Sequence, residues 1–387
     1  MEEEERTPED LHQKRYWIAL NLLPELGPRR VQALLRSFES PREIFEAPPE
    51  RIAEIPELKR FASRWPRMCR EALHEAEAEL SRLKEHKLSA LTLADPDYPK
   101  PLRALDDPPP VLYVRGTYES RDELAIAIVG TRRPSSYGRR VAERLARELG
   151  AMGFTIVSGL ARGIDTAAHR GALKAGARTI AVLGGGFAHF YPQENRRLGD
   201  EIAGSGAVLS EFPVELPPDR WTFPRRNRVI SGLSRGTIVV EAPERSGALI
   251  TARLALEQGR EVFAVPGPIT QETSAGVHKL IQQGAKLITD VDDVLEEFAD
   301  LKRTLSARRG AAAPAPAMAG RPQPQSQPQL SPLEQGVLNA LEFDPLHFND
   351  VVERTRLSPS EVSLALLQLV MKGLVEELEG KRYAKLP

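Results

Sequence analysis

A chain of 387 residues that is 41% hydrophobic and 28% charged is long enough for two or three globular units. Its formal net charge of −1 excludes a protein that is basic all over, so any contact with a polyanion must be a local patch offset by acidic surface elsewhere. Cys69 is the only cysteine, which excludes an internal disulfide or a thiolate metal cluster and fits a reducing cytoplasm.

The acidic start Met1-Glu2-Glu3-Glu4-Glu5 has no positive leader, and the apolar runs are of strand length, so neither export nor a membrane span is expected. Tyr16 to Leu23 has helical apolar spacing and stops at Pro24-Glu25-Leu26-Gly27-Pro28. Pro28 suits the first turn of a helix to Ser37, and Ser40-Pro41 with Glu43 forms a capping box for the next. The helix Arg70 to Lys87 closes a unit over residues 8–87, which resembles a helix-hairpin-helix or SAM-like module. A small helical packing domain is the plainer alternative.

From Ala90 onward the pattern changes. A proline-rich path leads to the strand Val111–Val114, and strand-like runs follow at 125–129, 155–157, 179–183, 207–209, 237–240, 262–265 and 286–289. Helix-length segments separate most of them. Repeated strand-helix units with nearly continuous apolar strands predict an α/β fold over residues 88–302, an extended Rossmann-like, doubly wound parallel sheet. The Ala-Pro and Gln-Pro repeats of residues 303–330 predict an extended linker. Beyond it, over 331–387, capping boxes at Ser331/Glu334 and Ser358/Glu361 start helices, and a hairpin turns at Gly380, in the order of a winged helix.

Within the α/β part, Arg220-Trp221-Thr222-Phe223-Pro224-Arg225-Arg226-Asn227-Arg228 holds four arginines and two aromatic rings in nine residues, with no carboxylate among them. Guanidinium forks fit phosphate oxygens and flat rings stack on bases, so the stretch reads as a nucleic-acid grip; a merely solvated loop is the alternative. Gly130-Thr131-Arg132, Ser158-Gly159-Leu160-Ala161-Arg162-Gly163 and Gly184-Gly185-Gly186 follow successive strands. Parallel sheets bind ligands there, which puts Arg132 and Arg162 on one rim. The spacing is not that of a dinucleotide fingerprint, no phosphate-loop lysine motif is present, and no cofactor is expected. Asp165 and His169 share a helix face but are two groups only, short of a metal site, and Ser158 and Ser246 have no dedicated His-carboxylate neighbour in sequence, so no catalytic residue is assigned. Glu241 is expected to order Arg225 or Arg228.

Several long motifs together resemble the DNA-processing protein A (DprA/Smf) family over roughly residues 90–300. They are Gly130-Thr131-Arg132 with Tyr137-Gly138, Ser158-Gly159-x-Ala161-x-Gly163-Ile164-Asp165 with Ala168-His169, Phe223-Pro224-x-Arg226-Asn227-Arg228 with Ile230 to Ser234, Ser246 to Ala252, Phe263 to Gly267, and Leu280-Ile281-x-x-Gly284-Ala285. The resemblance implies a non-enzymatic, homodimeric single-stranded DNA binder that protects incoming DNA during natural transformation and helps load the RecA recombinase onto it. It further implies that Arg132, Arg220, Arg225, Asn227 and Arg228 meet phosphate or sugar and that Phe223 packs on a base. The turn at Ser158, Gly159, Ala161 and Gly163 would offer backbone donors, and His278, Ile281 and Leu287 would lie in the dimer interface. Where the family commonly carries lysine, Arg220 keeps the charge. The alternative is an enzyme acting on a nucleotide or nucleoside phosphate. The last helix before the terminal hairpin lacks arginine, and acidic residues outnumber basic ones beyond Ser331, so the winged helix is read as a protein-contact or accessory module.

Overall fold

A computed structural model describes residues 8–298 apart from 24, and residues 330–385 apart from 343, 344 and 379. The chain divides into two compact units, residues 1–134 with 141–299 and residues 135–140 with 300–387. All but the last position of the expected linker, 303–330, lies outside the described residues.

The larger unit opens with helices α1 (Pro8–Leu22), α2 (Pro28–Ser37), α3 (Pro41–Glu46), α4 (Pro49–Ala53) and α5 (Trp65–Glu85). Pro28 stands at the start of α2, and the Ser40 hydroxyl accepts from Glu43 N at the start of α3, which is half of the expected box; the Glu43 carboxylate accepts from Glu39 N (3.4 Å) and not from Ser40 N. A nine-stranded sheet follows: β1 (Ser89–Thr92), β2 (Val111–Gly116), β3 (Ala125–Val129), β4 (Thr155–Ser158), β5 (Thr179–Val182), β6 (Ala207–Ser210), β7 (Gly236–Val239), β8 (Glu261–Ala264) and β9 (Lys286–Leu287). Short α6 (Lys100–Arg103) precedes β2. The crossover helices are α7 (Ser136–Ala151), α8 (Ile164–Lys174), α9 (Arg196–Ser205), α10 (Thr222–Leu233), α11 (Gly247–Glu257) and α12 (Glu272–Gln282), and α13 (Val291–Glu296) ends the unit.

The strand order is β1-β2-β6-β5-β4-β3-β7-β8-β9. From β6 to β9 every pairing is parallel, whereas β1 and β2 add an antiparallel edge, so the sheet is mixed rather than wholly parallel. Strand periodicity sends alternate residues to opposite faces. Val111, Tyr113, Ala181 and Val208 join a core with Trp17, Leu20 and Trp65 of the first helices, so the helical segment and one sheet face share a hydrophobic cluster. Leu112, Ile180, Val182 and Leu209 join the opposite core with Val229, Ile230 and Leu233 of α10 and Ala252 of α11.

The smaller unit contains α14 (Pro332–Ala340), α15 (Phe348–Thr355), α16 (Pro359–Met371) and a three-stranded sheet of β10 (Leu346–His347), β11 (Val375–Leu378) and β12 (Arg382–Lys385), ordered β10-β12-β11. Both predicted capping boxes are present, with Pro332 and Pro359 at first-turn positions. The short β10 is an element the sequence pattern did not reveal. Helix α16 buries Val362, Ala365, Leu366 and Leu369 and leaves Leu364, Leu367 and Met371 exposed. No described helix is long and apolar enough to cross a membrane.

Candidate nucleic-acid interface

The chain enters the parallel sheet at β3, winds outward through β4, β5 and β6, and then returns to the other side of β3 as β7. The loops leaving β3 and β7 therefore diverge, and the crevice between them is where an open α/β sheet accepts a ligand. A cleft of about 350 Å³ lies there, lined by Thr131, Arg132 and Arg133 after β3, by Arg245, Ser246 and Gly247 after β7, and by Phe223, Arg226 and Asn227 from α10. Arg132, Arg133 and Arg245 are exposed. Gly247 begins the eleven-residue α11, with Ser246 as its N-cap accepting from Ala248 N, so a helix N-terminus adds partial positive charge to the arginine side chains.

Helix α10 explains why the arginine-rich stretch does not act as one continuous strip. At about 100° per residue, neighbouring side chains leave a helix in different directions. Arg226, 5% exposed, points inward and donates to Gly159 O (2.6 Å) and Val182 O, holding the ends of β4 and β5. Its Nε donates to Asn227 Oδ1 (3.2 Å), and Asn227 Nδ2 donates to Gly247 O (3.3 Å), which ties α10 to the start of α11. Arg228, 6% exposed, is held by Glu211 and by Asp107 O, on a different side from the cleft. Arg225 donates to the same Glu211 carboxylate (3.0 Å) and covers the Phe212 ring at 5.3 Å. The carboxylate that orders Arg225 and Arg228 is thus Glu211, not Glu241. Arg220 is exposed, with its backbone N–H on the Asp219 carboxylate (2.6 Å).

The turn after β4 is held from within. Asp165, on the first turn of α8, accepts from Gly159 N (3.1 Å) and Ala161 N (3.3 Å), so an internal carboxylate engages the two amides that the resemblance assigns to a ligand. Burial raises the Asp165 pKa, opposed by the neighbouring Arg226 guanidinium, and burial lowers that of Arg226 to about 10. A Cβ at Gly159 would collide with the Arg226 guanidinium, and Gly163, at φ +82°, sits against Thr131 O in a conformation that favours glycine. Ser158 is fully buried and donates to Ile128 O (2.7 Å), placing it beneath the site rather than on it. Arg162 is exposed on the same loop but forms a bidentate pair with Glu194.

Phe223 lies against Gly184, where a Cβ would strike its ring, and carries Arg132 over the ring at 5.2 Å. Tyr191 meets it edge-on with centroids 6.0 Å apart. Of the residues proposed from sequence, the cleft unites Arg132, Ala161, Phe223 and Asn227. Arg133, Arg245 and the start of α11 were missed; the signal was the Arg245-Ser246-Gly247 run after a strand, a charged residue beside an N-cap.

His169, one turn beyond Asp165 on α8, is buried against the start of β5. Thr179 Oγ1 donates to Ile156 O (2.7 Å), so the 2.7 Å contact with His169 Nδ1 requires the imidazole to donate there and leaves Nε2 without a proton. Burial, then the nearby Arg226 charge, lowers its pKa to about 3. Since unfolded histidine titrates near about 6.5, the unfolded chain takes up a proton that the folded chain refuses, and stability falls as pH drops from about 6.5 toward 3. Asp165, whose pKa burial raises, acts with the opposite sign above the ordinary carboxylate range. Melting curves between pH 7 and 4.5 should show a loss of stability that is shallower in a His169→Gln variant; identical pH slopes would contradict this assignment. Among the described residues, no group of three or more His, Cys, Asp or Glu could hold a metal ion.

The fold and cleft define an α/β protein of extended Rossmann-like type with a basic switch-point cleft, carrying a winged-helix module. Comparison with known proteins gives the family. Residues 89–299 match the model of DNA recombination-mediator protein A, and residues 321–381 match the DprA winged helix domain. Protein Smf of Synechocystis is 35% identical over 96% of this chain and 99% of its own length. The crystal structure of DNA processing protein A from Streptococcus pneumoniae matches 70% of this chain and 98% of that one, with a TM-score of 0.55 and 37% identity. DNA processing protein A from Helicobacter pylori, whose structure is described for its single-stranded DNA binding mode, matches 55% of this chain and 96% of that one, at TM-score 0.50 and 33% identity. The chain belongs to the DNA recombination-mediator protein A family, and with it to the DNA-processing proteins.

Proposed function

We propose that this chain is a non-enzymatic, cytoplasmic, homodimeric binder of single-stranded DNA, which protects incoming strands during natural transformation and helps load RecA onto them. The observation that carries the binding role is the switch-point cleft itself, where Arg132, Arg133 and Arg245 converge with the N-terminus of α11 beside the Phe223 ring. Asp165, a carboxylate lining the cleft, is already bonded to Gly159 and Ala161, so little negative charge faces an incoming phosphate. The single-stranded DNA binding mode for which the Helicobacter relative's structure is described supports the same ligand. Arg220 adds an exposed cation before α10, and Asn227 supplies a polar amide; Arg225, Arg228, Ser158 and the Gly159–Gly163 turn hold the scaffold.

Each phosphate neutralised on a single strand contributes about −0.7 to the log-log salt slope, so three or four contacts give about −2 to −3. Titrating a labelled oligonucleotide at two salt concentrations measures this, and a slope near zero removes the phosphate reading. The homodimer rests on His278, Ile281 and Leu287. Leu287 is 44% exposed on the edge strand β9, Ile281 is half-buried, and His278 Nε2 donates to Gly267 O (2.9 Å). Light scattering should show an Ile281→Glu variant as monomer and the parent chain as dimer; equal masses discard the interface. RecA loading rests on the family relationship and is tested by the lag before filament growth on a precoated strand, which must shorten when this protein is added.

A further inference from the structure

Two aromatic side chains among the described residues are strongly exposed, Trp221 at 51% and Tyr191 at 42%. Both stand at the carboxyl ends of the strands. Trp221 meets Phe212, just beyond β6, at 5.9 Å and 84°, and Tyr191 meets Phe223, which lies against Gly184 beyond β5, at 6.0 Å and 62°. Each exposed ring is thus braced edge-on by a more buried one and keeps much of its surface toward solvent. Phe223 is placed differently: it is half-buried, pressed on the Gly184 backbone and covered by Arg132 at 5.2 Å. Its ring is already engaged from more than one direction.

Strands β6, β5, β4 and β3 are successive neighbours, so their ends step across roughly 14 Å at about 4.8 Å per strand. Trp221 stands over the first, Tyr191 and Phe223 over the second, and Arg132 follows the last. Cations accompany the rings: Arg220 precedes Trp221 in the chain, and Arg132 lies over Phe223, the ring that braces Tyr191. Exposed rings with cations near them, at the carboxyl ends of neighbouring strands, suit a polymer that presents phosphates and unpaired bases.

We infer that Trp221 and Tyr191 are base-stacking platforms of this interface in addition to Phe223. The inference rests on the single-strand reading above and extends it to named residues outside the cleft. Stacking is tolerant of base identity, because every base has a π face, so these two rings would strengthen binding without selecting sequence.

The chain carries three tryptophans, and the other two, Trp17 and Trp65, are buried at 8% and 0% exposure. Trp221 therefore reports on its own contact in the intact protein. Binding of a single-stranded oligonucleotide should quench tryptophan emission, while an abasic strand of equal length and charge should bind more weakly and leave the emission largely unchanged. Trp221→Ala and Tyr191→Ala should each weaken oligonucleotide binding roughly 5- to 100-fold. Neither should alter abasic-strand binding, and Trp221→Phe should recover most of the loss. Should both alanine variants bind the oligonucleotide as tightly as the parent while Arg132→Ala loses it, the platforms are refuted and the cleft stands. A parent chain that takes up no single strand at all overturns both. The parent's comparison of normal with abasic strands needs no variant, so it decides the matter even if Tyr191→Ala fails to fold.

Discussion

Replacing Arg132 and Arg220 together with alanine is expected to lower affinity for a single-stranded oligonucleotide by roughly two orders of magnitude or more, since charge-assisted hydrogen bonds contribute about 1.5–3 kcal/mol each. Both side chains are exposed. Neither forms an ion pair among the described residues; Arg132 rests on the Phe223 ring, and the Arg220 bond to Asp219 is made by its backbone. Their removal should leave stability within about 0.5 kcal/mol of the parent, as at ordinary surface positions. Arg225 is a poor choice for such a test. Its guanidinium bonds to Glu211, which is 1% exposed, so reversing the charge at 225 would set two carboxylates together in a buried place and unfold the neighbourhood. Anisotropy titrations with parallel thermal melts make the comparison. Unchanged affinity in a folded Arg132→Ala/Arg220→Ala protein removes both residues from the interface.

Arg226→Met is expected to act in the opposite sense, through the scaffold. The parent guanidinium is buried, donates to Gly159 O and Val182 O, and lies near enough to Asp165 to oppose the effect of burial on that carboxyl group. Methionine fills much of the volume but leaves two carbonyls without these donors and a buried carboxylate without its neighbouring cation. Breaking a buried charged network on one side costs about 3–5 kcal/mol. In a protein of this size, that lowers the melting temperature by something on the order of 10 °C. Affinity should fall as well, because the turn that backs the cleft is no longer held. Arg226→Lys keeps the charge but not the planar fork and should recover only part of the stability. Denaturation midpoints for the two variants test this, and a Met variant as stable as the parent would show that the internal bonds contribute little.

The contrast between these arginines shows what was legible beforehand. The alternation of strands and helices was readable because each parallel strand, covered on both faces, is a nearly unbroken apolar run; Ala125-Ile126-Ala127-Ile128-Val129 is buried throughout. The caps at Ser331 and Ser358 were readable because their partners stand three residues away. The direction of each side chain in 220–228 was not. That required knowing that Thr222–Leu233 is a helix, which turns Arg226 toward the strand ends and Arg228 toward Glu211 and Asp107. Glu211 itself follows β6, and no local pattern links it to arginines fourteen and seventeen residues later. The shared helix face of Asp165 and His169 was readable from their spacing, yet the capture of the Gly159 and Ala161 amides by Asp165 depends on the shape of the turn. Arg245 escaped notice because its importance comes from β7 lying beside β3, a neighbour relation invisible in chain order.

The central claim is that the cleft and its rim take an unpaired strand. Competition anisotropy at one salt concentration, using a single-stranded oligonucleotide and a duplex of equal length, tests it most directly. The single strand should bind more tightly, since only its bases are free to stack on the exposed rings. Equal or tighter binding of the duplex would contradict the account.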